Sequence, residues 1–123
     1  MKQILEIAEK NTQKALEIIK ASKVVEAWES IGATVNKVGS LRNGLFMKSR
    51  DIDFHIYTDD LSIEQSFHAI SQIAKDPRIK KISYTNLLDD ADACLEWHAW
   101  WEDDEQKLWQ LDMMHIIKGS TFD

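Results

Sequence analysis

The segment from Asp51 to Tyr57 carries the residues with the clearest chemical potential. Its polar and apolar residues alternate strictly, so Asp51 and Asp53 fall on one face of a predicted strand. An aspartate in the middle of a strand is unfavourable, because the position disfavours a charged side chain unless something binds it. Two aspartates that share a face predict a bound group with positive charge.

A third carboxylate lies in a second alternating segment, where Asp112 stands between Leu111 and Met113. Taken alone, it is typical of a solvated residue on an open sheet face. If the two strands are neighbours, three carboxylates converge on one patch and repel each other strongly. Divalent metal ions remove this repulsion, and hard oxygen ligands suit Mg²⁺.

The segment before the first aspartates contains Gly39-Ser40 and, soon after, Gly44. Gly39 has no Cβ, so its backbone can approach a phosphate closely. Ser40 adds a hydroxyl and a backbone N–H to such a site, and Gly44 would let the chain turn away. The alternative is that both glycines only form a tight turn between strands.

These segments together resemble the signature of the nucleotidyltransferase superfamily that includes DNA polymerase beta, the tRNA CCA-adding enzymes and the antibiotic nucleotidyltransferases. The signature consists of an apolar residue and Gly-Ser, about ten residues, Asp-x-Asp between apolar residues, and an acid on a later strand. The matching residues are Val38, Gly39, Ser40, Asp51, Asp53 and Asp112, with Gly44 completing the Gly-Ser-x-x-x-Gly form of minimal and antibiotic-modifying members. The resemblance covers about residues 20 to 117.

The resemblance implies an enzyme that transfers a nucleoside monophosphate from a nucleoside triphosphate to a hydroxyl acceptor and releases pyrophosphate. Two Mg²⁺ ions would be held by Asp51, Asp53 and Asp112, and Asp112 would also accept the proton of the acceptor. The expected triphosphate-binding residues are Gly39, Ser40, Arg42, Gly44 and Arg50. Lys48 is more typical of a solvent-exposed loop charge.

The acceptor is suggested only by composition. Residues 86–106 contain eight acids and no lysine or arginine, with Trp97, Trp100 and Trp101 among them. One interpretation is that the tryptophans pack against the helices and the acids solvate two loops. The other is an acceptor site with aromatic walls and a negative rim, which favours a cationic or sugar-like small molecule such as an aminoglycoside. The net charge of −6 and this rim both make a nucleic-acid partner unlikely.

Several expectations concern assembly. At 123 residues we expect one domain, residues 1–123. Antibiotic-modifying relatives usually continue into a helical domain that supplies much of the acceptor pocket, so we expect a second subunit, a partner protein or a missing part to supply it here. Minimal members pair with a helical partner in toxin–antitoxin modules and transfer AMP to that protein. The alternative function is a weakly active or non-catalytic regulatory module, antitoxin-like, that keeps the fold and pairs with a helical partner.

The expected elements are an amphipathic helix over residues 3–20, a short helix over 23–31, a helix that begins after Ser62, and five strands. The apolar residues expected to face the core from the third helix are Phe67, Ile70 and Ile73. The short helix has Ser22 as its N-cap and ends at Gly32. The predicted strands are 34–38, 51–57, 79–84, 94–101 and 108–117. This order predicts an α+β fold with helices on one face of a mixed or antiparallel sheet.

Three smaller inferences complete the sequence analysis. We expect no secretory signal, and the sequence shows no apolar run long enough to span a bilayer. Cys94 is the only cysteine, which fits a reducing cytoplasm, and it is expected to be a packed residue rather than a nucleophile. His55 shares the face of Asp53 and either contacts the acceptor or bonds a carboxylate; the hairpin register, and so whether Glu96 and His98 face the site, stays open.

Overall fold

The computed structural model describes residues 2–38, 50–91 and 93–117, and the side chains of residues 9–37, 50–91 and 93–117. Three helices and five strands alternate in the order α1 (Lys2–Ser22), α2 (Val24–Glu29), β1 (Thr34–Val38), β2 (Asp51–Thr58), α3 (Ile63–Ala74), β3 (Ile79–Asn86), β4 (Cys94–Glu102) and β5 (Leu108–Ile117). The strands form one mixed sheet in the order β1-β2-β5-β4-β3. The α+β class and all eight expected elements are confirmed.

The helix boundaries follow from local chemistry. Ser62 begins α3, because its side-chain oxygen accepts a hydrogen bond from the Gln65 backbone N–H at 3.2 Å. Gly32 follows α2 with φ of +83°, the left-handed conformation that commonly stops a helix and that glycine adopts without strain. The predicted N-cap of α2 differs: Lys23 occupies that position with φ of 57°, while Ser22 ends α1.

One face of the sheet is buried under the helices. The continuous core contains Ile52, Phe54, Leu111, Met113, Trp97 and Ala99 from the strands, and Ala15, Ile18, Trp28, Ile70 and Ile73 from the helices. On α3, Ile70 and Ile73 are buried as the helical spacing predicts, but Phe67 is not. Phe67 is 46% exposed, and the small polar Ser66 is buried in its place.

A polar network ties α3 to the sheet inside this core. The buried imidazole of His115 lies 2.8 Å from the Thr58 hydroxyl and 2.9 Å from the Ser66 hydroxyl. Ser66 also accepts a hydrogen bond from the indole N–H of Trp97 at 2.9 Å. Because these four residues come from β5, β2, α3 and β4, their contacts fix the helix over the middle of the sheet.

The opposite face of the sheet is free of helices in the described part of the chain. Its side chains form rows, because residues paired in register point to the same side. One row runs across four strands through Asp53, Asp112, His98 and Ser83. The next row toward the start of β2 runs through Asp51, Gln110, Trp100 and Lys81. We refer to this surface as the open face.

No helix in the described residues is both long and apolar enough to span a membrane.

Candidate active site

The parallel pairing of β2 with β5 brings two of the three predicted carboxylates together. Asp53 is the register partner of Asp112, and their carboxyl groups lie close enough to share a hydrogen bond when one is protonated. The alternation of each strand is what places both on the open face, because Phe54 and Met113 point into the core.

Asp112 is the most perturbed carboxyl of the open face. Its burial raises its pKa, and its hydrogen bond with Asp53 and the charge of Asp53 raise it further. A hydrogen bond from the Gln110 side-chain N–H to Oδ1, at 2.6 Å, and the nearby His98 act in the opposite direction. The resulting pKa is about 6. Burial and Asp53 therefore disfavour the ionised form of Asp112 more than Gln110 and His98 favour it.

Asp51 stands one row away from this pair. It is exposed, and its register partner on β5 is Gln110 rather than an acid. Among the described residues, no group of three or more His, Cys, Asp and Glu side chains forms a metal-binding cluster. The structure therefore joins Asp53 to Asp112 and leaves Asp51 beside them on the same face; the full three-carboxylate cage stays a prediction.

The donor chemistry of the pair nevertheless fits a hard divalent cation. Both side chains offer carboxylate oxygens, the ligands that Mg²⁺ prefers. Within the described chain, the ion pairs of lysine and arginine side chains go to other acids, at Asp103, Asp104 and Glu105. The Asp53–Asp112 pair thus has no permanent positive partner there, although His98 lies 3.5 Å from Asp112 Oδ1.

Most of the expected triphosphate-binding residues, Gly39, Ser40, Arg42 and Gly44, lie outside the described residues, as does Lys48. Val38, the residue before Gly39, ends β1 and is the register partner of Asp53. The sequence Gly39-Ser40 therefore follows directly on a residue that neighbours the carboxylate pair.

Arg50 is described and makes a contact that the sequence did not suggest. Its side-chain Nε–H donates to the Leu108 backbone carbonyl at 3.1 Å, and its own carbonyl accepts from the Gln110 N–H at 2.8 Å. Both hydrogen bonds connect the start of β2 to the start of β5. The side chain is exposed, so a phosphate-binding role for Arg50 stays a prediction.

The register of the β4–β5 hairpin places Glu96 and His98 on the open face. His98 pairs with Asp112, and its Nε2 lies 3.6 Å from Glu96 Oε1 as well as 3.5 Å from Asp112 Oδ1. A hollow of about 390 Å³ adjoins these side chains. It is lined by Asp53, Phe54, His55, Glu96, His98, Asp112, Met113 and Met114.

The hairpin tryptophans and acids divide between the two faces. Trp97 and Trp101 are buried in the core under the helices, as is Trp109, and only Trp100 reaches the open face. This agrees with the interpretation that most of the tryptophans pack the hairpin against the helices. The acids at the hairpin tip are also paired away from the carboxylate site: Asp103 bonds Trp109 and Lys14, and Asp104 bonds Arg78.

Two further residues of the open face have identified neighbours. The imidazole of His55 lies 3.3 Å from the Tyr57 hydroxyl. Cys94 is buried and packs with Tyr57 and Ile116, which agrees with its expected role as a packed residue.

A larger hollow, about 620 Å³, lies between α2 and α3 and is lined in part by Ser30, His68, Gln72 and Lys75. It is separated from the carboxylates by the sheet and the core, so its size does not make it the reaction site. Proximity to Asp53 and Asp112 favours the smaller hollow on the open face.

Comparisons with known proteins support the fold alone. No family model matches the sequence, and no curated protein matches it closely enough to count as a relative. Among solved structures, the chain is similar to one from the complex of the poly(A) polymerase GLD-2 with GLD-3, with a TM-score of 0.63 and 12% sequence identity. The match covers 93% of this chain and 39% of that one. At 12% identity this match shows the fold alone, so the chain has the nucleotidyltransferase-like α+β fold that its motifs predict.

Proposed function

We propose that the protein is a Mg²⁺-dependent nucleotidyltransferase. The observation that carries the proposal is the pair Asp53–Asp112 on the open face of this fold, where a half-buried Asp112 has a pKa of about 6 and no lysine or arginine partner in the described chain. A perturbed carboxyl next to a second carboxyl is characteristic of functional sites. The resemblance of the surrounding motif to known nucleotidyltransferases supplies the reaction class.

Asp51, Asp53 and Asp112 would hold the metal. When bound, two Mg²⁺ ions neutralise charge at the attacking and leaving oxygens of such a transfer. In the reaction, an oxygen of the acceptor hydroxyl forms a bond to the α-phosphorus while the bond to the pyrophosphate oxygen breaks. Asp112 would accept the hydroxyl proton, and pyrophosphate leaves with the electron pair.

The triphosphate would bind on the β1 side of the carboxylates. Gly39 and Ser40 would supply backbone and hydroxyl donors, Arg42 and Arg50 positive charge, and Gly44 the turn that follows. The pairing of Val38 with Asp53 supports this arrangement, because the Gly-Ser sequence begins one residue after a neighbour of the metal site.

The acceptor would bind on the β4 side, in the hollow of about 390 Å³. This volume falls within the range of small-molecule sites. Among the described residues its lining includes Glu96 and no lysine or arginine, which favours a hydroxyl acceptor that also carries positive charge, such as an aminoglycoside-like molecule. A protein hydroxyl presented by a helical partner or by a second copy of the chain is the other acceptor we propose.

The test is transfer of label from α-labelled nucleoside triphosphates to a panel of aminoglycosides, lincosamides, the protein itself and tRNA. We expect transfer to one of the first three, dependent on Mg²⁺. Asp53→Asn should reduce the rate by on the order of a thousandfold, because lost metal ligation removes several kcal/mol of transition-state stabilisation. Asp60→Asn, in the exposed loop after β2, is the matched control and should leave the rate unchanged. Transfer that Asp53→Asn leaves intact contradicts the proposal.

One observation favours the second candidate function, a non-catalytic or weakly active module that pairs with a partner. The described residues contain no cluster of three metal-binding side chains. Thermal unfolding with Mg²⁺ and nucleotide separates the two candidates. Binding at a hundred times the dissociation constant adds about 2.7 kcal/mol to the free energy of unfolding; no increase at saturating ligand would favour the module.

A further inference from the structure

Gln110 makes a short hydrogen bond to the candidate metal site. Its side-chain Nε2 donates to Asp112 Oδ1 at 2.6 Å. The two residues are separated by one position on β5, so their Cβ atoms are about 7 Å apart along the strand. A glutamine side chain spans that distance by leaning along the strand, whereas an asparagine, one methylene shorter, falls short.

The position of Gln110 is itself fixed from both neighbouring strands. Its backbone N–H donates to the Arg50 carbonyl at 2.8 Å, directly before Asp51 on β2. On the other side it is the register partner of Trp100 on β4. The backbone at Gln110 therefore has little freedom, and the hydrogen bond to Asp112 Oδ1 shows that the side-chain amide lies along β5.

The contact distinguishes the two oxygens of Asp112. Oδ1 accepts the Gln110 amide at 2.6 Å and also lies 3.5 Å from His98 Nε2, so it is the oxygen that faces neighbouring nitrogen atoms. Oδ2 is then the oxygen best able to bind a cation. Hydrogen bonds that hold a ligating carboxylate in this way set its orientation, and their loss typically weakens metal binding 10–100-fold.

The chemistry of the amide suits this role better than a charged donor. A lysine at position 110 would form an ion pair with Asp112 and compete with the metal for it. A glutamate would add a like charge beside Asp51 and Asp112. A neutral amide orients Asp112 and leaves its negative charge available.

We propose that Gln110 is a positioning residue, which holds the carboxylate of Asp112 in the orientation needed to ligate the metal. This inference rests on the function proposed above, since it needs a metal at Asp53 and Asp112. It adds a residue that belongs neither to the Asp-x-Asp motif nor to the Gly-Ser turn.

The test measures metal binding without catalysis, with Mn²⁺ alone as the probe and free Mn²⁺ followed by electron paramagnetic resonance. Gln110→Met keeps the length of the side chain and removes the donor; Gln110→Asn keeps the donor and removes the reach. We expect both variants to bind Mn²⁺ about tenfold more weakly than the wild type. Gln65→Met, at an exposed position of α3, is the control and should bind like the wild type.

A second readout separates positioning from a structural role. Both Gln110 variants should still unfold in one cooperative urea transition, and any catalytic rate should return when the Mg²⁺ concentration is raised about tenfold. Mn²⁺ affinity within twofold of the wild type in both variants would overturn the role of Gln110. Wild-type protein that binds no Mn²⁺, or whose binding survives Asp53→Asn, would instead overturn the metal site and the proposed function with it.

Discussion

Replacing Asp112 with asparagine should stabilise the metal-free protein at neutral pH. The pKa of Asp112 is raised from 3.8 to about 6, first by burial and then by Asp53. Each unit corresponds to 1.36 kcal/mol, so ionisation of this carboxyl opposes folding by up to about 3 kcal/mol. The side chain is 22% exposed, and solvent screening reduces the expected gain to roughly 1–2 kcal/mol. Asparagine retains an oxygen that can accept the Gln110 hydrogen bond, so the substitution removes mainly the charge.

The sign of the pH dependence follows from the same shift. Because the folded state binds the Asp112 proton more tightly than the unfolded state, the contribution of Asp112 to stability is fully present below pH 4 and is lost as pH rises through 6. The difference in the free energy of unfolding between Asp112→Asn and the wild type should therefore be small at pH 4 and reach its full value above pH 6.5.

Urea unfolding in the presence of a chelator, followed by circular dichroism from pH 4 to 8, measures this difference. Asp60→Asn, at an exposed loop position, controls for the general effect of removing one negative charge. Mg²⁺ should stabilise the wild type and leave Asp112→Asn unchanged. A variant that is less stable than the wild type at pH 7.5 in chelator, or a difference that does not grow with pH, would refute the electrostatic reasoning.

Three other predictions concern residues outside the metal site or at its edge. Burial raises the pKa of Asp103, but hydrogen bonds from the Lys107 N–H, Trp109 and others lower it to about 2. Asp103→Asn should therefore lower the free energy of unfolding in urea by about 2 kcal/mol at pH 7. This loss should shrink as pH falls below 4 toward 2. Burial lowers the pKa of His115 to about 4, so the contribution of His115 to stability should decline as pH falls from 6.5 to 4, opposite in sign to that of Asp112; the difference in the free energy of unfolding between the wild type and His115→Gln should shrink over that range. Glu96→Gln should weaken transfer to cationic acceptors and leave transfer to neutral hydroxyl acceptors nearly unchanged, as measured by the ratio of kcat/KM for the two.

Much of the fold could be predicted from the sequence because its signals are local. The alternation from Asp51 onward defines β2 and its buried face, and Ser62 defines the start of α3 through a hydrogen bond three residues along the chain. The mid-strand aspartates indicated the carboxylate pair because the periodicity of each strand fixes which residues share a face. Phe67 departs from the expected core because the position beside it, Ser66, is needed to bond His115 and Trp97.

The rest of the site depends on contacts that periodicity does not determine. A slip of one residue in the β4–β5 register would replace Glu96 and His98 with Trp97 and Ala99 on the open face. The register is set by the turn, where the Asp103 carboxylate accepts the backbone N–H groups of Glu105 and Lys107 and Gln106 adopts φ of 63°. These contacts form only in the folded turn, so the alternation of residues in the sequence does not reveal the register. Gln110 was likewise not recognised, because a glutamine on an exposed strand face has no signal of its own until Asp112 is placed beside it.

Asp103, in the turn before β5, and Asp112, within β5, are both largely shielded from solvent, but their surroundings shift their pKa values in opposite directions. Asp103 receives two backbone N–H groups, the Trp109 indole N–H and Lys14, and its pKa falls to about 2. Asp112 receives one neutral amide, faces a second carboxylate, and its pKa rises to about 6. The chain therefore contains the means to stabilise such a charge, and Lys81 stands in the neighbouring row of the same face, yet no lysine or arginine in the described residues pairs with Asp112. A lysine or arginine beside Asp112 would neutralise its charge. A carboxylate without such a partner is expected at a site where a bound cation neutralises the charge instead.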